Sequence, residues 1–324
     1  MRILSAVVLI ALVSNSAIAH HSAVIFDEDR EIVVEGVVSG YDWKYPHVYV
    51  VVDAEDDSGQ LIRWQIEGDD PRTMSRSGWT ATTLEIGQQV VVRGNPDKIP
   101  ERHHALMVSL ATPDGTTLRP ELLDTPEPTV AATDIFSLWD PTRFDEDYLS
   151  SGTPTEKGAA AQAEYTEEDN PESQCIPPAP PMTFGVSLTR IPMQEGHILI
   201  QTEEFEIERI IYMDGREHPA DGERTLHGHS IGRWEGDVLV IDTTHFADNI
   251  DGSIFGIPSG AQKRLVERIA LTEDGTQLTI AFVLEDPEYL QEPATGEIVL
   301  DHAPNETFAL AVCDPESARR WMDE

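Results

Sequence analysis

The chain has 324 residues, a length that suggests about two domains, each able to bury a core. With 40% hydrophobic and 25% charged residues it reads as globular, and 22 basic against 59 acidic side chains leave a formal charge of −37. A surface this negative repels phosphate, which argues against nucleic acid and anionic membranes as partners.

Arg2 opens a short basic region, Ile3–Val13 is apolar but for one Ser, and Ala17-Ile18-Ala19 supplies small residues at a cleavage spacing. Residues 1–19 are therefore expected to be a secretory signal peptide, the mature chain to begin at His20, and the protein to be periplasmic or secreted. No later stretch is apolar over the ~18 residues a membrane helix needs, so no transmembrane segment is expected.

Residues 20–111 read as a small β domain. Glu31–Val38, His47–Ala54, Leu61–Ile66, Gln88–Arg93 and Ala105–Ala111 are β-branched runs separated by Ser39-Gly40, Asp57-Ser58-Gly59 and Gly94-Asn95-Pro96. Between the third and fourth, Asp70 and Pro71 signal a helix start and Gly78 its stop. Five strands with one helix in that place is the order of an OB-fold barrel. The Pro- and Thr-rich residues 112–133 read as a linker.

The second domain is expected to span residues 134–324, opening with the apolar island Asp134–Asp140. Its acidic insert, residues 144–174, is expected to be mobile. From Met182 onward the pattern is again strands and turns: His197–Thr202, Glu206–Met213, Val238–Thr243, Lys263–Leu271, Gln277–Leu284, Glu297–Leu300 and Thr307–Val312, with hairpin turns at Trp234–Asp237 and Glu273–Thr276. Strands spaced in this way predict a larger antiparallel, lipocalin-like barrel or sandwich, so the fold class is all-β. A short helix is expected over Pro315–Met322. Cys175 and Cys313 are the two cysteines; an even number in an exported chain predicts a disulfide, which would tie together the ends of the second domain.

Two groups of motifs resemble uncharacterised families of exported bacterial proteins. The N-terminal half does so through His20-His21-Ser22, the strand EGVV, Trp43, Pro46-His47, Trp64, Glu67-Gly68 and Gly78-Trp79. The C-terminal half does so through Tyr212-x-Asp214-Gly215-Arg216-x-His218-Pro219, then Gly228-His229-Ser230-x-Gly232-Arg233-Trp234-Glu235-Gly236-Asp237, and Asp242-Thr243-Thr244. The second resemblance implies a Trp-bearing first strand, which places Ile135–Trp139 in domain two. Neither resemblance implies a chemistry.

Three constellations could carry one. A mature N-terminal His20 offers its amine and a ring nitrogen to one metal; His47, with His21 in reserve, would complete a nitrogen-rich site of the kind Cu(II) favours. His103-His104 reads as a pair on a polar turn. In domain two, His227 and His229 form an H-x-H that would put both rings on one strand face, and Asp242 with His245 could form an acid–base pair beside Ser230. Phe205, Tyr212, Trp234, Phe246, Phe255 and Phe282 would be barrel core, or would line an apolar ligand cavity. The leading expectation is an exported binding or accessory protein that coordinates copper through His20, His21 and His47. Two alternatives stand beside it. One is a hydrolase- or lyase-type enzyme acting on a small apolar molecule in the second barrel through His229, Asp242 and His245. The other is a structural envelope module.

Overall fold

β-Branched residues at alternate positions make β1 (Ile32–Asp42) a two-faced strand: Val34 and Val38 are buried while Val33 is open to water. The computed structural model describes residues 25–56, 58–120, 130–143, 152–166, 169–185, 187–254 and 256–320. β1 pairs antiparallel with β2 (Tyr49–Glu55) along one half and with β4 (Gln89–Pro96) along the other. Gly36 permits that double pairing, because a Cβ there would lie 2.4 Å from the Asp53 carbonyl oxygen. β3 (Leu61–Glu67) continues the sheet from β2, and β5 (His104–Ala111) pairs with both β4 and, in parallel, β3. That parallel pairing closes the small barrel, with β6 (Thr117–Leu118) appended to β5.

Helix α1 (Pro71–Arg76) forms as its signals predict. The Asp70 carboxylate accepts from the amides of Arg72 and Thr73 at 2.8 and 3.1 Å, and Pro71 occupies the first turn. Its Met74 is sealed into the small core. Part of the expected linker is fastened to this domain, since buried Trp79 donates its indole N–H to the Arg119 carbonyl at 2.7 Å.

The larger sheet comprises β7 (Leu138–Arg143), β8 (Thr189–Arg190), β9 (Met193–Gln194), β10 (His197–Thr202), β11 (Glu208–Tyr212), β12 (His229–Glu235) and β13 (Val238–Thr244). After a side hairpin of β14 (Asn249–Ile254) and β15 (Ile257–Ser259) it continues with β16 (Arg264–Leu271), β17 (Gln277–Glu285) and β18 (Ala294–His302). The order β11-β12-β13-β16-β17-β18-β7-β8-β10 returns to β11 and closes a nine-stranded barrel. β7 carries Trp139, fully buried, and pairs with β18 of this sheet. Ile200, Ile211, Ile241, Leu265, Ile280 and Leu300 fill the interior together with Phe184 and Phe246.

Four expectations change here. Thr307–Val312 is not a strand; the Ala309 amide donates to the Glu203 carboxylate and the Ala311 amide to the Glu203 carbonyl, both at 2.7 Å, and Ala311 makes an isolated bridge to Glu204. The acidic insert expected to be mobile is in part folded: helix α2 (Glu156–Glu164) packs on β15 of the side hairpin, and at Gly158 it lies so near the β17–β18 loop that a Cβ would meet the Tyr289 carbonyl at 2.4 Å. Of the expected barrel aromatics, Trp234 is 42% exposed and Tyr212 lies on the outer face, while Phe255 falls outside the described residues. His104 is no turn residue; it opens β5, is buried, and faces Asp97 at 3.4 Å.

Cys175 and Cys313 form the expected disulfide, and residues 314–320 beyond it lie against the small barrel. The Asp314 amide donates to the Tyr45 carbonyl, Lys44 pairs with Asp314, and Arg320 pairs with Asp42 while stacking over Tyr49. From the other side, α1 sends Arg72 to Asp140 and Glu203 of the large barrel, and Arg76 to Asp140 and Glu306. Among the described residues no helix is long and apolar enough to cross a membrane.

Candidate functional site

The β12–β13 hairpin turns through Gly236-Asp237, with Gly236 at φ 64°, and its register pairs His229 with Thr244 and Ile231 with Asp242. Strand alternation then divides the motif. Ser230 and Thr243 point into the barrel and are buried, while His229, Asp242 and Thr244 point outward. β11 runs parallel to β12 with Tyr212 beside Ile231, so Tyr212 stands on the outer face and stacks on His229, with ring centroids 5.1 Å apart and 27° between planes.

The loop after β11 folds back over this face. Asp214 accepts from the backbone and guanidinium of Arg216 around Gly215 at φ 77°, and the Arg216 guanidinium lies 3.8 Å over the Tyr212 ring. This turn delivers His218. Its Nδ1 comes 2.9 Å from Nδ1 of His229, and its Nε2 lies 3.8 Å from Asp242 Oδ1. Asp242 is gripped by Arg264, whose Nε and Nη2 donate to its two oxygens at 3.0 and 2.6 Å. His245, at φ 61°, contacts the Thr244 hydroxyl through Nδ1 at 2.8 Å, and its ring centroid is 6.1 Å from those of both His218 and His229. Gly222 lets the loop approach His245: a Cβ there would sit 2.7 Å from His245 Cδ2.

Electrostatics favour the neutral form of His218 and His229. Burial lowers the His229 pKa, and the neighbouring His218, His245 and Arg216 lower it further. Burial likewise lowers that of His218, and the attraction of Asp242 only partly offsets this. Asp242 is held below the usual carboxylate range by the hydrogen bonds from Arg264. Two neutral imidazoles whose Nδ1 atoms are 2.9 Å apart can share one proton, or can both aim lone pairs at a ligand. Among the described residues no group of three or more His, Cys, Asp and Glu is already arranged as a metal site.

The structure thus brings His229, Asp242 and His245 to one place and adds His218, Tyr212, Arg216 and Arg264. Sequence reasoning missed Arg216, His218 and Arg264 as site residues and read Tyr212 as barrel core or cavity lining, although Tyr212, Arg216 and His218 stood in a motif it singled out. It separates two other expected partners. Ser230 lies on the opposite face from Asp242 and cannot join an acid–base pair with His245. His227 is not on β12 with His229: Gly228, at φ 69°, breaks the alternation, and the His227 ring turns toward the Pro178 backbone. Burial first, then Arg209 and Lys263, pushes the His227 pKa down to about 4.

In the small barrel, His20 and His21 lie outside the described residues. His47 precedes β2, half-buried, with Nδ1 3.4 Å from Oε1 of the fully buried Glu67, whose other oxygen accepts from the Tyr49 hydroxyl at 3.4 Å. His103 packs edge-on to Trp64.

The small barrel and the stretch before it are similar to known sequences. A family of unknown function (DUF6152) matches residues 8–105. This agrees with the resemblance of the N-terminal half to an uncharacterised family, and the match stops short of the larger barrel. No curated protein matches the chain.

Proposed function

We propose that this is an exported binding or accessory protein whose ligand is held by the imidazole cluster on the outer face of the larger barrel. The observation that carries this reading is the convergence of His218 and His229 at 2.9 Å on a face that also presents His245. Neutral imidazoles beside a carboxylate already neutralised by Arg264 offer lone pairs and little net charge, so the ligand is an electron-pair acceptor. The serine of the motif, Ser230, is turned inward and hydrogen-bonded to Arg209 and Thr243, which removes it as a nucleophile, and binding is the reading we favour over serine-type hydrolysis. Export is supported by Ala17-Ile18-Ala19 and by the disulfide. The test is a panel of chromogenic ester, lactone and phosphoester substrates. The reading expects no turnover above that of His229→Ala; turnover abolished by His229→Ala and His245→Ala would overturn it and install the enzyme.

A second site, for copper at His47 with His20 and His21, draws support from Glu67. A metal-ligating imidazole commonly gives its other ring N–H to a carboxylate, and the His47–Glu67 contact has that form. Intact mass should place the mature start at His20, and His47→Ala should lower copper retention; an equal retention would discard this site.

A further inference from the structure

We infer that His218, His229 and His245 form an open three-imidazole site for one zinc-class divalent metal ion, an inference that rests on the binding role proposed for this cluster.

Zn–N bonds of about 2.0–2.1 Å in a tetrahedral site put ligating nitrogens roughly 3.3 Å apart and imidazole centroids about 5 Å apart. His218 and His229 come near this, with centroids 5.1 Å apart and nitrogens at 2.9 Å that need to part by only about 0.4 Å. His245 stands at 6.1 Å from both, so a closure of about 1 Å completes the set.

The outer atoms of the rings argue the same way. A ligating histidine gives its second ring nitrogen to an oxygen, which fixes tautomer and orientation. His218 Nε2 faces Asp242, itself clamped by Arg264, and this frees Nδ1 as the ligand atom. His245 Nδ1 is beside the Thr244 hydroxyl, leaving Nε2 as the ligand atom. His229 is steadied by Tyr212 stacked on its ring, and Tyr212 in turn by Arg216. Outer partners of this kind are what orient the ligands of a metal site. Three protein nitrogens leave a fourth position for water or for a donor atom from a further ligand. All-imidazole ligation suits zinc and its neighbours rather than Ca²⁺ or Mg²⁺, which require oxygen.

The experiment uses the full mature chain without a histidine tag, stripped of metal, titrated with Zn(II) in competition with a chromophoric chelator. One tight equivalent is expected. It should be lost in His218→Ala/His229→Ala and retained in His47→Ala. Asp242→Asn and Thr244→Val should weaken it by about 10–100-fold, as outer-partner changes do. Co(II) in place of Zn(II) should give the intense visible bands of a tetrahedral site in the wild type and not in the double variant. Metal-free melting and far-UV circular dichroism establish that each variant is folded. Absence of a tight equivalent overturns the inference, as does an equivalent that survives the double variant. Either result leaves the binding reading to be judged by the substrate panel, which involves no added metal.

Discussion

Four polar side chains cross the interior of the larger barrel on four adjacent strands, and the response of the fold to their removal can be worked out. Arg209 on β11 is 2% exposed and Glu267 on β16 is fully buried. The guanidinium donates to Glu267 Oε1 at 3.0 Å, to Thr243 Oγ1 at 2.7 Å and to Ser230 Oγ at 3.0 Å, and also reaches the second Glu267 oxygen. Glu267→Met leaves the buried guanidinium without its counter-charge, facing the Ser230 and Thr243 hydroxyls, a loss of about 3–5 kcal/mol for a broken buried pair. For a domain of this size that corresponds to a melting temperature lower by roughly 6–20 °C. Arg209→Met added to Glu267→Met removes the stranded charge, and the Ser230 and Thr243 hydroxyls keep each other at 2.9 Å. The double variant should therefore recover most of the loss, or exceed the wild type by up to about 4 kcal/mol. Differential calorimetry of the four proteins in the cycle is the assay. If Glu267→Met stays within about 1 kcal/mol of wild type, or if the double variant melts no higher than the single, the desolvation argument fails.

Three further outcomes are expected. His227, pushed down to about 4 by burial, binds a proton more weakly in the folded chain than in the unfolded one near 6.5. Its contribution is complete above pH 6.5 and is lost as pH falls through about 4, up to about 3 kcal/mol; urea midpoints at pH 7.5 and 5 should differ less in His227→Gln than in wild type, and an unchanged difference refutes the assignment. Alkylation of the oxidised protein should label neither Cys175 nor Cys313, and Cys175→Ala/Cys313→Ala should cost at most about 4–5 kcal/mol in thermal unfolding, given the 138-residue separation; free thiols in the oxidised protein would contradict this. Arg72→Ala leaves buried Asp140 and Glu203 short of counter-charge across the barrel junction, so the two barrels should melt farther apart in calorimetry, a separation that would not change if the junction were held by the C-terminal segment alone.

Both barrels were legible where alternation and turn chemistry agree. β16 and β17 flank the Glu273–Thr276 turn at the expected place, and α1 was readable because Asp70, Pro71 and Gly78 each carry a positional meaning. Closure was not legible, because it depends on pairs far apart in sequence: β3 with β5 in one barrel and β7 with β18 in the other. Thr307–Val312 has a strand's composition, but its neighbours are the Glu204 backbone and a disulfide rather than a sheet edge, so composition alone overreads it. His104 was misread for a related reason: the turn ends one residue earlier, at His103 with φ 51°, and the next side chain belongs to the buried face of β5.

The candidate site shows where a one-dimensional reading stops. His229 and Ser230 are adjacent in one motif, and residue type alone makes the serine the more suggestive neighbour for a histidine. A strand sends them to opposite faces, and Arg209 claims the serine for the core. Gly228 does the reverse to His227 and His229, which would share a face on a strand but are parted by a positive φ. His218 reaches His229 from the loop that follows a parallel neighbour strand, so no spacing rule within one element connects them. What could have linked them is the grouping of Tyr212, Asp214, Gly215, Arg216 and His218. The Asp214–Arg216 turn builds the approach, Arg216 caps Tyr212, and Tyr212 supports His229. Each of those residues acts on the next, and the chain of contacts ends at an imidazole pair. The same sequence of supports explains why residues that look like turn and packing types surround a cluster whose chemistry faces outward.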